Sequence, residues 1–232
     1  MFILHKNRIV KFLLFFLISN LYSQDIKLLY PEEYKNALEL KQQYELILQS
    51  KGISDTVFYI SLVFPEMIRY NSIRDELETF INKVAYTTID KYEGCSIGAF
   101  QIKPNCALEI ENNIKASKIM SKRYPLLAKV SNEENVTEKI KRINRLREKK
   151  YQIEYLLAFV DICINKYDLQ KKSTEEQLKV ISAAYNIGFL KSLDDYKRFQ
   201  NTKSFPYGSG SPNSLWNYTE LVLDFYSQFK ED

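Results

Sequence analysis

Val57-Phe-Tyr-Ile-Ser-Leu-Val-Phe-Pro-Glu-Met-Ile-Arg-Tyr70 carries a single acid, Glu66, in a run otherwise fit for a protein interior. A stretch apolar on nearly every face predicts the central buried helix of a helical domain. The preceding Ser50-Lys-Gly-Ile-Ser-Asp55 interrupts the helical spacing of residues 28–49, and Asp55 or Ser54 is placed to cap the new helix. Pro65 lacks the N–H that a helix interior uses, so it is expected to break or kink the chain and turn the neighbouring carboxylate toward a cleft. A carboxylate taken out of water costs several kcal/mol, so the group tends to keep its proton, which is the state a general acid needs. The plain alternative is a Glu on the wet face of a helix end, paired with Arg69.

Outward from this segment the chain reads as helices with one interruption. Residues 71–83 form an amphipathic, acid-rich helical stretch, and residues 86–104 change to β-branched, Gly and aromatic residues in short runs, the pattern of a small hairpin or irregular lobe. Ser131-Asn-Glu-Glu134 has capping-box spacing and opens a charged helical stretch to about residue 150, read as a solvated face or an insertion, before the more apolar 153–167. Ser173-Thr-Glu-Glu-Gln177 starts a further helix that Gly188 ends. Residues 205–214, with Pro206, Gly208, Gly210 and Pro212, read as a loop, followed by a last amphipathic helix over 215–229. The fold class expected is mainly α with a small β-hairpin or irregular lobe.

The first residues have the layout of an export signal. Lys6, Arg8 and Lys11 precede the short apolar run 12–21, and cleavage is expected after Ser23, with an uncleaved N-terminal anchor as the alternative. That run is shorter than the ~20 residues a membrane span requires, so no stable membrane insertion is expected after cleavage. Residues 24–54 then form an N-terminal helical extension, and 55–232 the main domain with the charged insertion around 131–150. Against 33 Lys and Arg stand 29 Asp and Glu, a net charge of +4 that falls to about +1 once the three basic residues of 1–23 are removed. Nothing in that balance favours nucleic acid. His5, the one histidine, leaves with the signal, which excludes Ser-His-Asp and Cys-His systems and His-ligated metals. Of the cysteines, Cys95 and Cys106 could form a clamp, with Cys163 left over, or all three could be buried thiols.

Two further segments offer groups suited to sugars. Cys95-Ser-Ile-Gly-Ala-Phe-Gln-Ile-Lys-Pro104 presents Gly98, which permits close approach of backbone to a ligand, and Gln101, whose amide both donates and accepts; a plain hairpin turn would have the same composition. Ala183-Ala-Tyr-Asn-Ile-Gly188 projects the phenol of Tyr185 and the amide of Asn186 from one helical turn, or else is a buried Tyr followed by an Asn cap.

In order, Glu66, Gly98-Ala-Phe-Gln101 and Ala184-Tyr185-Asn186-Ile-Gly188 resemble the signature of the lytic transglycosylase and goose-type lysozyme superfamily, over roughly residues 55–225. The resemblance implies a lysozyme-like helical domain in which Glu66 is the sole catalytic acid/base. It also implies that Gly98 and Gln101, with Ser96 nearby, line a sugar cleft, that Tyr185 orients Glu66, and that Asn186 faces substrate. The implied substrate is the peptidoglycan glycan strand, cut between N-acetylmuramic acid and N-acetylglucosamine in the periplasm without metal or organic cofactor. Glu66 would protonate the bridging oxygen and then take a proton from the muramic acid 6-hydroxyl to close a 1,6-anhydro ring. Two departures stand out. Met67 replaces the family's Ser, and the intervals from Glu66 to Gln101 and Tyr185 are long. A hydrolysing muramidase would need a second acid, for which Glu76, Glu78, Asp90 and Glu93 are candidates. A glycan-binding module without activity, or an envelope scaffold using the charged stretch as a partner surface, would also fit these residues.

Overall fold

Two long helices, each buried around most of its circumference, organise the molecule. The computed structural model describes residues 25–70, 84–86, 96–131 and 133–231. In chain order the helices are α1 (Ile26–Leu29), α2 (Pro31–Ser50), α3 (Thr56–Arg69), α4 (Pro104–Ala116), α5 (Lys118–Arg123), α6 (Pro125–Ala128), α7 (Val136–Arg147) and α8 (Lys149–Lys166). A 3-10 turn at Leu169–Lys171 leads to α9 (Thr174–Ile187) and α10 (Leu193–Phe199); strands β1 (Lys203–Phe205) and β2 (Trp216–Asn217) precede α11 (Tyr218–Glu231). The fold is mainly helical with one small antiparallel two-stranded sheet, Lys203 opposite Asn217 and Phe205 opposite Trp216. No helix among the described residues is long and apolar enough to cross a membrane. The expected export signal at residues 1–23 and the helical reading of 71–83 lie outside the described residues.

Helix α3 is the central buried helix that its composition predicts. Asp55 caps it by accepting from Phe58 N–H at 3.0 Å, and every residue from Ile60 to Ile68 is buried. Phe64 fixes its neighbours, meeting Tyr34 of α2 at 5.5 Å between ring centroids and Phe225 and Phe229 of α11 at 4.6 and 4.8 Å. Edge-on ring pairs of this kind contribute about 0.5–1.5 kcal/mol each beyond their burial. Pro65 neither breaks the helix nor ends it at once, and α3 continues through Glu66 to Arg69.

Helix α8 is the second pillar, with an unbroken buried run from Gln152 to Cys163. It packs against α2, α4, α7 and α9. Before it, the charged stretch departs from its sequence reading in two ways. Asn135, not Ser131, caps α7, accepting from Glu138 N–H at 3.0 Å. The stretch is also not a solvated face, because Arg142 is fully buried and Arg145 nearly so. Arg142 Nε donates to Glu111 Oε2 at 3.0 Å, and Arg145 Nη2 to Glu111 Oε1 at 2.8 Å. The Tyr155 hydroxyl donates to the same Oε1 at 2.5 Å. Two cations, one carboxylate and a phenol thus tie α4, α7 and α8 together, a charged cluster that holds only while each charge keeps its partner.

The small sheet brackets the segment read as a loop, and the expected hairpin region appears as a single antiparallel bridge between Ile97 and Ile102. Much of the rest of 86–104 lies outside the described residues. Helix α9 behaves as its sequence predicts, with a capping box in which Ser173 and Glu176 bond reciprocally and Gly188 at φ +93° terminating it. Cys106 and Cys163 are free thiols, so the Cys95–Cys106 clamp is not formed.

Candidate active site

Glu66 sits in the last turn of α3 with 5% of its surface exposed. Its Oε2 is buried without a hydrogen-bond partner, and Arg69 Nε lies 3.4 Å from that oxygen. The two readings of Glu66 from sequence therefore both hold in part, since the carboxyl is buried and also stands beside Arg69. Burial pushes its proton affinity up; the Arg69 charge and the nearby Tyr218 hydroxyl oppose that shift without overturning it. Tyr218, fully buried at the start of α11, donates its single proton to Leu62 C=O at 2.9 Å. Its oxygen lone pairs are thereby left to receive a proton from Glu66 in the acid form. Sequence reasoning missed Tyr218 because nothing distinguishes it from the other core aromatics until α11 docks on α3.

The turn Gly98–Gln101 is closed by Gln101 N–H to Gly98 C=O at 2.9 Å and flanked by the paired Ile97 and Ile102. Its backbone is gripped from two helices. Gln152 Oε1 of α8 accepts from Phe100 N–H at 3.0 Å, and the Tyr185 hydroxyl of α9 donates to Phe100 C=O at 2.5 Å. Gln152 is itself fixed by Tyr44, which donates to it at 3.1 Å, and by its own donation to Leu146 C=O at 2.9 Å. Gly98, at φ +72°, is required here for a reason the sequence did not reveal. A Cβ on it would lie 2.0 Å from Gln152 Nε2 and 2.7 Å from Leu146 O. The close approach it permits is to the protein's own interior, and Gly98 does not line the cleft. Gln101 takes a left-handed conformation, φ +52°, which is strained for a side chain of its kind and is a feature that collects at ligand sites.

These parts meet at one cleft of about 840 Å³. Glu66, Ser96, Gln101, Tyr185 and Asn186 line it, contributed by three segments far apart in the chain. Burial, with the neighbouring Glu66 carboxylate next in weight, holds the Tyr185 phenol well above its ordinary range, so it stays protonated. Its proton goes to Phe100 C=O, so Tyr185 positions the Gln101 turn instead of hydrogen-bonding to Glu66. Tyr218 occupies the place beside the acid. Met67 is 1% exposed and absent from the cleft wall. The chain matches no family model, no curated protein and no solved structure.

Three acids of the described residues face this cleft: Glu66, the exposed Glu33 of α2 and the half-buried Glu109 of α4. Burial raises the Glu109 carboxyl too, with Lys166 opposing. Glu76, Glu78, Asp90 and Glu93 lie outside the described residues. One hydroxyl in the wall, Ser204 Oγ on β1, is buried without a partner, as is Glu66 Oε2. Unsatisfied polar atoms are uncommon in native structures, and two of them on one cleft mark where the polar groups of a ligand would be taken up. No group of acids, Cys or His suited to a metal occurs among the described residues. A proton donor beside half-buried amides and hydroxyls is equipped for acid catalysis on a polyhydroxylated substrate.

Proposed function

We propose that this chain is a peptidoglycan lytic transglycosylase of the lysozyme-like superfamily, cleaving the β-1,4 bond between N-acetylmuramic acid and N-acetylglucosamine. The observation that carries the proposal is the buried Glu66 carboxyl, its proton affinity raised by that burial, in the same cleft as Gln101, Tyr185 and Asn186. Glu66 donates its proton to the bridging oxygen as the bond breaks, and the substrate's acetamido group meets the developing positive charge at the sugar carbon. The ionised Glu66 then accepts the proton of the muramic acid 6-hydroxyl as that oxygen closes the anhydro ring. One carboxyl that changes protonation state twice is sufficient, and burial raises its proton affinity in favour of the acid form that the first step uses. Gln101 and Asn186 offer amides to the sugar hydroxyl and acetamido groups. Export through residues 1–23 to the periplasm, where the glycan lies, belongs to the same proposal.

Glu109 favours a second reading, a hydrolysing muramidase in which it directs a water, because it shares the cleft. Mass spectrometry of muropeptides released by the mature protein separates the two readings. Anhydro ends are expected for the transglycosylase and reducing ends for the hydrolase, and Glu66→Gln is expected to release neither. If the wild-type protein binds glycan but releases nothing, it is a binding module. Undiminished release by Glu66→Gln would remove Glu66 from the chemistry.

A further inference from the structure

Arg69 stands three residues after Glu66 on α3, with 37% of its side chain exposed on the cleft wall. Its Nε is 3.4 Å from Glu66 Oε2, yet that oxygen has no hydrogen bond, so the two groups attract without a directed contact. Its Nη1 donates to Pro206 C=O at 3.2 Å, which anchors the guanidinium to the far wall beyond β1. A guanidinium has five N–H donors in a planar fork, and one directed contact plus one misaligned ion pair uses few of them. The remaining edge is suited to a carboxylate that can meet it squarely, with two parallel hydrogen bonds in place of one oblique approach.

We propose that Arg69 is a carboxylate-binding residue of the cleft, exchanging Glu66 for an acid group carried by the muramoyl unit of the bound glycan. The inference rests on the glycan-cleaving proposal above. It makes the cleft selective for acidic glycan over a neutral polymer of N-acetylglucosamine, which has every other feature of the strand. It also couples binding to chemistry. In the free protein Arg69 favours the ionised form of Glu66. Once a substrate carboxylate has taken up that charge, Glu66 is left to its burial, which favours the acid form that the first step consumes. The other groups facing Glu66 do not substitute for Arg69. Tyr218 from α11 and Tyr185 from α9 are held protonated, and Glu33 from α2 has the wrong sign. Glu109 and Lys103 share the cleft wall, with Glu109 answering to Lys166.

Calorimetry on the mature protein tests this with three ligands: N,N′-diacetylchitobiose, the N-acetylglucosaminyl–N-acetylmuramic acid disaccharide, and that disaccharide bearing an L-Ala-D-Glu stem. None contains the linkage to be cut. Titrations in buffers of different ionisation enthalpy report the protons taken up on binding. The acidic ligands are expected to bind with more proton uptake than chitobiose. If the stem-free disaccharide shows the excess, the lactyl carboxyl is the partner; if only the stem-bearing one does, a stem carboxylate is. Arg69→Gln is expected to erase the excess uptake and weaken the acidic ligands by about 10- to 100-fold, as expected for loss of a charge-assisted contact, with chitobiose unaffected. Glu66→Gln is expected to keep the preference for acidic ligands and lose the uptake. Arg69→Gln retaining both preference and uptake, while the wild type still releases muropeptides, would overturn the role of Arg69 alone. A wild type that neither binds these ligands nor releases muropeptides would overturn both proposals.

Discussion

Replacing Gly98 with Ala separates the two reasons a glycine could be needed in the Gly98–Gln101 turn. The first cost is conformational, because φ +72° in a residue with a Cβ costs roughly 1–2 kcal/mol. The second is steric. The new methyl would fall 2.0 Å from Gln152 Nε2 and 2.7 Å from Leu146 O, and the second of these is helix backbone that does not yield cheaply. Gln152 would have to swing away, giving up its bonds to Tyr44, Phe100 and Leu146 inside the core. Together the strain, the overpacking and the unsatisfied amide predict a loss of about 3–5 kcal/mol. Gly52→Ala is the matched control. Its φ is +76° but nothing lies within 4 Å of the added Cβ, so only the conformational cost of about 1–2 kcal/mol applies. Urea denaturation of both variants reads the difference as a shift in midpoint at constant slope. Gly98→Ala no more costly than Gly52→Ala would refute the packing argument. Intact stability with lost glycan turnover would return Gly98 to the ligand-approach role that its sequence first suggests.

Other consequences follow from the same contacts. Glu111→Gln keeps the shape of the buried cluster but removes the carboxylate partner of Arg145 and one of the two that Arg142 has, Glu134 being the other, and is expected to cost about 3–5 kcal/mol in denaturant midpoint measurements. Gln101→Gly relieves the left-handed strain while enlarging the freedom of the unfolded chain, so stability should stay within about 1 kcal/mol of wild type even as muropeptide release falls. Burial holds Glu66 above its ordinary value of 4.5, so between that value and its native one the folded protein binds more protons than the unfolded chain. Wild-type stability therefore falls as pH rises through this window. Glu66→Gln escapes that loss, so the variant should be the more stable above the window and match wild type below it.

What could be read from sequence is what local physics determines. The α3 segment betrays itself by apolar residues on every face, and α9 by a capping box at one end and a glycine at the other. The acid, the amide turn and the Tyr–Asn pair stand out because polar groups are rare in such surroundings, and the fold brings them to one cleft. What could not be read depends on partners distant in the chain. The charges of 131–150 look solvated until Glu111, more than thirty residues earlier, is seen between Arg142 and Arg145. Gln152 looks like any surface amide in a helix, yet it holds the Phe100 N–H fifty-two residues away. Strands of three and two residues are too short to show alternation, so β1 and β2 are hidden beside the Pro- and Gly-rich loop they bracket. Tyr218 gains its place next to Glu66 only from the docking of α11, which no local pattern encodes.

Acid catalysis in this cleft requires a carboxyl that keeps its proton where other acids have lost theirs. Carbon-13 NMR of protein labelled at the Glu side-chain carboxyl follows each glutamate through a pH titration, and Glu66→Gln assigns the signal of interest by its disappearance. The prediction is one resonance, missing in the variant, that titrates clearly above the exposed glutamates, and that moves higher still in Arg69→Gln. A Glu66 signal titrating together with the exposed glutamates would contradict it.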